Sequence, residues 1–566
     1  METWLLASDL SEDPGPTASQ KTMLHVVKSQ DHHTRAADCG FSKKKVAVCA
    51  PPRQDNIRVD CAQNDPSGKL AKSKTHRPSI SSSSGRPSID IEELGYDLYP
   101  TNTRSTFIPK PPPPAEPPVL QTLHKRSPFG AILSRTLPNY SGHYPVGVCD
   151  VEVPIERQRF GQFKHKSMPH AEAGLTIDTV LFTLFYPSEA TQTNNKVVWF
   201  PRLRQTIDGF LLMSNRTPNW LYRTVTYPAA AAAIYGTTFP AIENAHLKQP
   251  PPGTKWPVII FSHGVGCSRL MYSAFCGEMA SRGYIVAAIE HRDGTGPSSR
   301  ITDSNGEMRI LDWLDWRDLY WPDSKQPEND TTLRHVQLEV RLAETLGVIK
   351  TLEKIASGTP VGQTTLTQAS TTFDWAAWAS CVSMHKPIMA GHSFGGSLGI
   401  AAATDSRFHF GRVIVFDPAV QRLFPWKGTI RSKFLAINSE EFARGDEMSL
   451  LVDMLPRIAR ASVFLIPGST HPSFSDVFLI LPDYINRLTG LNINADKVIE
   501  MMIQLVDSFL DGKVEEAGKH HTVREVSSHE ELKAWAKGVT LKDVKKSMAK
   551  KGLGRAGSLV VYRNGD

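Results

Sequence analysis

The chain lacks the long apolar segments that would place it in a membrane. No apolar run approaches the ~20 residues that a membrane-spanning helix needs. The first residues, Met1 to Ser8, contain no basic segment followed by a long apolar one, so we expect no secretory signal. The seven cysteines are unevenly spaced and indicate no disulfide framework. Together these absences predict a cytoplasmic protein without a membrane-spanning segment.

Metal and nucleic acid sites also lack support in the sequence. No group of His and Cys residues has the spacing of a zinc site, and we find no nucleic-acid-binding motif and no internal repeat. The formal net charge of +7 is modest for 566 residues. Such a charge suits solubility, or attraction to an anionic lipid surface, better than nucleic acid binding. We therefore expect no metal, no other cofactor and no nucleic acid partner.

Composition divides the chain into three parts. Residues 1–127 are rich in Pro and Ser, residues 128–512 are predicted to form one large domain, and residues 513–566 form a basic, polar tail. The hydrophobic content of 40% is sufficient for a sizeable core. Helical patterns in the tail, at 530–537 and 541–550, predict a solvated helix pair more readily than an arm on a membrane surface.

The N-terminal part is predicted to be disordered. It contains a serine-rich run at 79–84 and a proline tract at 109–114, and its apolar residues are sparse and aperiodic. Such a segment cannot bury enough apolar surface to offset the entropy of ordering. The proline tract is typical of a stiff linker, and a ligand for SH3-like domains is the weaker alternative.

Short β-rich runs alternate with helical patterns in the predicted domain. Two runs of alternating apolar residues, 146–154 and 179–186, predict opening antiparallel strands. Apolar residues also repeat at helical spacing over 333–354 and 498–510. Six further runs predict parallel strands: 258–262, 284–290, 387–391, 412–417, 433–438 and 462–467. This alternation is typical of an α/β protein with a mostly parallel, doubly wound sheet.

A Gly-x-Ser-x-Gly motif occupies Gly391 to Gly395. It follows a short buried run, 387–390, and precedes a helix of small residues, 396–404. In this strand–turn–helix context the motif indicates a nucleophile elbow, which exposes its serine at the carboxyl end of a sheet. The flanking glycines are required because side chains there would clash with the strand and the helix. Ser393 is therefore the predicted nucleophile.

A serine nucleophile needs a histidine base, and with this elbow the chain order is Ser, acid, His. His471 follows the last predicted strand through a Pro-Gly-Ser-Thr turn, where a base can reach Ser393. Among the other later histidines, His409 precedes every candidate acid, and His520 and His521 lie in the tail. His471 is therefore the predicted base.

The orienting acid has more than one candidate. Asp417 ends the strand that follows the elbow, which is a suitable position for orienting a histidine. Glu440 and Glu441 follow the next strand, where many hydrolases of this type carry their acid. The residues favour Asp417 and leave the two glutamates as alternatives.

An oxyanion hole is predicted from two segments. The N–H of Phe394, the residue after the nucleophile, supplies one donor. The loop His263-Gly264-Val265-Gly266 follows an earlier strand, and small residues there let N–H groups turn toward a substrate. Val265 is the most plausible second donor.

The chain resembles the platelet-activating factor acetylhydrolases of the plasma and type II intracellular kind. The matching segments are 261–266, 272–274, 283–293, 391–396, 437–440 and 468–471. The most specific of them is the run Glu290-His291-Arg292-Asp293, because generic hydrolase chemistry does not require it.

This resemblance implies an α/β-hydrolase fold and a calcium-independent esterase of the phospholipase A2 type, which cleaves short or oxidised sn-2 acyl groups from phospholipids. It also implies a triad of Ser393, Asp417 and His471, with oxyanion donors at Val265 and Phe394. A generalist carboxylesterase of the same fold and a catalytically silent scaffold remain as alternatives.

An apolar stretch interleaved with arginines predicts contact with a lipid surface. Trp199 and Phe200, then Phe210 and Leu211, lie on either side of Arg202 and Arg204. Aromatic rings beside cations suit a bilayer interface. An interfacial segment falls at about this position in the resembled family, and ordinary core packing is an equal alternative.

Overall fold

The computed structural model describes residues 126–189, 196–303, 305–322, 325–359, 361, 373–514, 523–526 and 559–564. The predicted disorder before residue 126, the proline tract and the two predicted helices of the tail lie outside these residues. Within them, no helix combines the length and the apolar content needed to cross a membrane.

The described strands are numbered in chain order. They are β1 (Val146–Phe160), β2 (Lys164–His165), β3 (Leu175–Pro187), β4 (Lys196–Val198), β5 (Thr238–Glu243), β6 (Trp256–Ser262), β7 (Ile285–Glu290), β8 (Ser298–Thr302), β9 (Met308–Asp312), β10 (Leu319–Tyr320), β11 (Val382–His392), β12 (Arg412–Phe416), β13 (Ile430–Ser439), β14 (Ile458–Ile466), β15 (Val523–Val526) and β16 (Leu559–Asn564).

The described α-helices are numbered in the same way. They are α1 (Ala131–Ser134), α2 (Leu203–Met213), α3 (Trp220–Ile234), α4 (Ser273–Ser281), α5 (Thr331–Ala356), α6 (Phe394–Thr404), α7 (Glu440–Arg444), α8 (Asp446–Met454), α9 (Val477–Ile480), α10 (Asp483–Leu488) and α11 (Ala495–Leu510). Short 3-10 helices occupy several of the connections, among them His471–Phe474.

A twelve-stranded sheet organises the described residues, in the order β15-β16-β14-β13-β12-β11-β6-β7-β3-β1-β5-β4. The six neighbours from β14 to β7 are all parallel. Strands β3 and β1 follow in antiparallel pairing. The predicted parallel strands, the opening antiparallel strands and the two long helices are therefore confirmed.

Each face of the sheet carries its own hydrophobic core because successive strand residues point to opposite faces. In β6, Ile259 and Phe261 pack on one face with residues of α4 and α11. Val258 and Ile260 pack on the other face with residues of α5, α6 and α8. Helices therefore cover both faces, which confirms the doubly wound arrangement.

The sheet continues into the region that composition marks as a tail. Strand β16 pairs antiparallel with β14, so that Phe464 lies opposite Val561 and Val463 opposite Tyr562. Val561 and Tyr562 are buried. The predicted domain boundary at 512 therefore misses two strands of the sheet, β15 and β16. The apolar run 559–562 is too short to stand out in a basic segment, yet it covers the otherwise unpaired edge of β14.

The apolar stretch predicted to touch lipid lies inside the protein, which corrects that prediction. Trp199, Phe200, Phe210 and Leu211 are exposed by only 3%, 9%, 7% and 4%. The indole N–H of Trp199 donates to Asp476 Oδ2 at 3.0 Å. Core packing, the alternative reading of this stretch, is therefore the observed one.

The docking of β16 can be tested by placing a charge on its buried side. We expect Val561→Asp to lower the free energy of unfolding by about 3 kcal/mol, because an unpaired carboxylate would enter the apolar core. The matched control is Val225→Asp, since Val225 is 67% exposed. Thermal melts followed by circular dichroism measure both. Equal melting temperatures for the two variants would contradict the docking of β16.

Candidate active site

Ser393 lies between the end of β11 and the start of α6. Its backbone has φ 56° and ψ −123°, a conformation that non-glycine residues rarely adopt. Its N–H donates to the carbonyl of Phe416 at 2.9 Å. A Cβ on Gly391 would stand 2.2 Å from the carbonyl oxygen of Gly395, and a Cβ on Gly395 would stand 2.1 Å from that of Ser262. The glycines are thus required by close backbone contacts, as a nucleophile elbow demands.

The carboxylate of Asp417 faces the ring of His471. Asp417 directly follows β12, and its Oδ2 lies 3.0 Å from His471 Nδ1. Ser439 also donates to this carboxylate, through its N–H at 2.7 Å and its hydroxyl at 2.6 Å. The Asp417 side chain is fully buried, whereas that of His471 is 21% exposed. The acid is therefore fixed by three hydrogen bonds, while the histidine keeps access to a ligand.

The competing glutamates hold the turn that carries the histidine. Glu440 Oε2 accepts the N–H of Gly468 at 2.5 Å, and its other oxygen pairs with Arg444. Glu441 Oε2 accepts the main-chain N–H of His471 at 2.9 Å. These contacts position the backbone around His471, whereas Asp417 contacts its imidazole.

The predicted oxyanion loop packs directly against the nucleophile. A Cβ on Gly264 would stand 2.9 Å from the Cβ of Ser393. Gly266 has φ 76°, and its N–H donates to the carbonyl of Thr295 at 2.8 Å. Among the described residues, the N–H groups of Val265 and Phe394 have no protein acceptor. This lack of an internal acceptor is compatible with the oxyanion role predicted for the two N–H groups.

Sequence reasoning missed a polar bridge between this loop and the elbow. The Tyr272 hydroxyl accepts the N–H of Gly264 at 3.2 Å and lies 2.7 Å from His392 Nδ1. Because a main-chain N–H can only donate, the hydroxyl proton is available to His392. The His392 ring lies 4.5 Å from the ring of His471. Burial, with a smaller effect of His471, holds the pKa of His392 well below its ordinary value, so this ring is neutral.

Donor atoms of His392, Asp417 and His471 lie within 4.8 Å of one another and could in principle hold a metal ion. The Nδ1 atoms of both histidines already have hydrogen-bond partners, in Tyr272 and Asp417. An ion held through these two atoms would displace those bonds, whereas His392 Nε2 has no hydrogen-bond partner among the described residues. The hydrogen bonds between Asp417, Ser439 and His471 are those of a serine-hydrolase site.

The run Glu290 to Asp293 forms a buried polar layer behind the loop. His291 Nε2 lies 2.7 Å from Ser262 Oγ, and its Nδ1 lies 2.7 Å from Glu344 Oε2. Burial first, and then the charge of Asp293, raises the pKa of Glu344 to about 8, while burial lowers that of His291. A protonated Glu344 can therefore donate to a neutral His291. This second Ser-His-Glu chain is closed to substrate because Ser262, His291 and Glu344 are at most 1% exposed.

Comparisons with known proteins agree with the resemblance. A family model described as platelet-activating factor acetylhydrolase, isoform II, matches residues 130–528. The platelet-activating factor acetylhydrolase of Gallus gallus is 30% identical over 265 residues, which are 46% of this chain and 61% of that protein. That of Bos taurus is 30% identical over 329 residues, which are 56% of this chain and 68% of that protein.

Two more distant proteins were also matched. A putative phospholipase A2 of Schizosaccharomyces pombe is 27% identical over 421 residues, covering 65% of this chain and 89% of that protein. The structure of a ferulic acid esterase from Streptomyces cinnamoneus aligns with 67% of this chain and 92% of its own, at 15% identity and a TM-score of 0.40. Because the family model spans well over half of the chain, the chain belongs to the platelet-activating factor acetylhydrolase, isoform II, family.

Proposed function

We propose that the protein is a calcium-independent serine esterase that hydrolyses the sn-2 acetyl, short-chain or oxidised acyl ester of phospholipids such as platelet-activating factor. The observation that carries this proposal is the strained Ser393 at the end of β11, with the Asp417–His471 pair at the same sheet edge. Family membership and relatives named platelet-activating factor acetylhydrolase and putative phospholipase A2 support the substrate class.

The proposed reaction is a two-step acyl transfer. His471 accepts the proton of the Ser393 hydroxyl while its oxygen attacks the sn-2 carbonyl. The N–H groups of Val265 and Phe394 stabilise the oxyanion that forms. His471 then gives its proton to the departing lysophospholipid. In the second step His471 takes a proton from a water molecule, whose oxygen attacks the acyl carbonyl. The bond to Ser393 Oγ breaks, this oxygen regains the proton from His471, and the free carboxylic acid leaves.

The hydrogen bonds of Asp417 suit it to orient this base. Two donors from Ser439 fix the carboxylate, so its remaining interaction is aimed at His471 Nδ1. The base then presents its other nitrogen for proton transfer and is stabilised when it becomes positive. In this scheme the residues of the chain handle both the proton and the oxyanion, so no step needs a calcium ion.

We also propose that helix α3 makes peripheral contact with a lipid surface, in place of the buried residues named from the sequence. Its Trp220, Leu221 and Val225 are 77%, 55% and 67% exposed. This helix packs on α2, whose last residue, Met213, lies against Gly266 of the oxyanion loop. Apolar side chains one helix away from the loop would hold the active site near the bilayer. A cytoplasmic protein with such a surface would reach phospholipid without spanning the membrane.

The first test measures release of acyl groups from 2-acetyl and 2-long-acyl phosphatidylcholine, each with EDTA present. We expect the wild type to release acetate and to cleave the long-chain lipid poorly. Ser393→Ala should reduce acetate release by roughly a thousandfold or more, because the nucleophile is lost. Ser432→Ala is the matched control, since this hydroxyl donates to the carbonyl of Phe410 away from the site.

Other outcomes of this test would change the assignment. Turnover of small aryl esters without release from either lipid would indicate a generalist carboxylesterase. No turnover and no labelling by a serine-directed fluorophosphonate probe would indicate a silent scaffold. Loss of acetate release with EDTA alone would overturn calcium independence.

The choice of acid can be tested by two isosteric substitutions. Asp417→Asn should lower kcat by about 10⁴-fold, because an amide cannot hold the required tautomer of His471. Glu440→Gln should change kcat by less than about tenfold, since its amide oxygen can still accept the N–H of Gly468. Rates of p-nitrophenyl acetate hydrolysis measure both. The reverse order of effects would assign the acid to Glu440.

The lipid contact of α3 can be separated from catalysis by comparing two tryptophans. Trp220→Ser should weaken co-sedimentation with anionic phosphatidylcholine/phosphatidylserine liposomes by several-fold, and leave hydrolysis of p-nitrophenyl acetate unchanged. Trp199→Phe is the control, because this buried ring should affect stability rather than binding. Unchanged liposome binding by Trp220→Ser would remove α3 from the interface.

A further inference from the structure

The side chain of Arg341 is fully buried beneath the oxyanion loop. It lies on α5, and its guanidinium donates to four groups: Asp293 Oδ2 at 2.7 Å, the main-chain carbonyl of His263 at 2.7 Å, Thr295 Oγ1 at 2.6 Å and Ser262 Oγ at 3.3 Å. Both Arg341 and Asp293 are 0% exposed. The planar fork of an arginine can serve several such acceptors in fixed directions, which a lysine cannot.

The same guanidinium contacts the second segment of the oxyanion hole. Its carbon lies 4.6 Å from the centre of the Phe394 ring. The carbonyl of His263 precedes the proposed donor Val265 by two residues, and Phe394 carries the other proposed donor. One side chain therefore contacts the backbone of the loop that carries Val265 and the aromatic ring of Phe394, the residue whose N–H is the other proposed donor.

The far end of the loop is tied to the same cluster. Gly266 donates its N–H to the carbonyl of Thr295 at 2.8 Å. Thr295 in turn donates its N–H and its hydroxyl to Asp293 Oδ1 at 3.0 and 2.6 Å. The loop is thus held at His263 by Arg341 and at Gly266 through Thr295 and Asp293.

Stability alone is a weak reason for a buried ion pair here. Well-packed apolar residues in place of such a pair are often as stable or more so. Although burial opposes ionisation of Asp293, the charge of Arg341 and the hydrogen bonds hold the pKa of this carboxyl below its ordinary value. The pair is therefore charged: Arg341 contacts the loop backbone at His263, and Asp293 holds Thr295, whose carbonyl accepts the N–H of Gly266.

We propose that Arg341 is a positioning residue of the oxyanion hole, which sets the spacing between the N–H groups of Val265 and Phe394. This inference rests on the proposed esterase function. Donors in such a hole act because they are fixed in place before charge develops. A shift of the loop by a fraction of an ångström would reduce the stabilisation of the transition state by these donors. Substrate binding would remain nearly intact.

The test compares Arg341→Lys with the wild type in p-nitrophenyl acetate hydrolysis. We expect kcat to fall by about ten- to a hundredfold, less than the ~10²–10³-fold cost of losing a donor outright, with KM changed by less than about twofold. Affinity for a trifluoromethyl ketone, which forms an anionic tetrahedral adduct with the serine, should fall by the same factor as kcat. A merely structural role would not link these two losses.

Arg412→Lys is the matched control. Arg412 is also buried, donates to the carbonyl of Leu510 at 3.1 Å and lies 6.0 Å from the ring of Phe509. It begins β12, at the opposite end of the strand from Asp417. Its substitution should lower the melting temperature and leave kcat and inhibitor affinity near the wild-type values.

A second variant decides the question if Arg341→Lys does not fold. Thr295→Val removes the hydroxyl between Arg341 and Asp293 with little change in volume, and should lower kcat several-fold at constant KM. If Arg341→Lys folds and has the wild-type kcat, the positioning role is overturned. If it does not fold, a wild-type kcat in Thr295→Val overturns the role instead. Equal loss of kcat in Arg412→Lys would do the same. An inactive wild type would instead overturn the proposed function.

Discussion

The segments that follow β6 and β11 approach each other so closely that Gly264 and Gly395 have no space for a Cβ. A Cβ on Gly395 would overlap the carbonyl of Ser262, and one on Gly264 would press on the side chain of Ser393. These two neighbouring strands carry the oxyanion loop and the nucleophile. At this contact Ser393 has a positive φ, a strain of order 1–3 kcal/mol that persists only where surrounding structure fixes it. The geometry of the site depends on this contact.

Much of this arrangement could be predicted because short segments of the sequence carry the patterns that are typical of it. Alternating and continuous apolar runs identified the parallel strands, and the glycines around Ser393 identified the elbow. Parallel strands end at one edge of a sheet, so residues directly after β11 and β12 had to lie close together. That rule predicts that Asp417 and Ser393 lie close together. The order of the residues along the chain selects His471 as the base.

The remaining features depend on partners that are distant in the chain. Aromatic rings beside arginines suit either a lipid surface or a core, and for Trp199 the deciding contact is Asp476, 277 residues away. Tyr272 and Arg341 have no local signal for the backbone atoms they bind, since those atoms belong to another loop. The family motif at 290–293 marked the region as special, but its role becomes clear only from the buried chain through Glu344.

Buried carboxylates fix the parts of the site relative to one another, and each does so by accepting several hydrogen bonds. Asp417 holds the imidazole, and Asp293 holds the oxyanion loop through Arg341 and Thr295.

Asp476, five residues after the base, accepts the N–H groups of Ser273 and Ala274 at the start of α4 as well as the indole N–H of Trp199. Helix α4 follows the oxyanion loop, so this acid ties the base segment to it. Because hydrogen bonds are directional and apolar contacts are not, such clamps specify position within tenths of an ångström, which is what an oxyanion hole and a proton-transferring pair require.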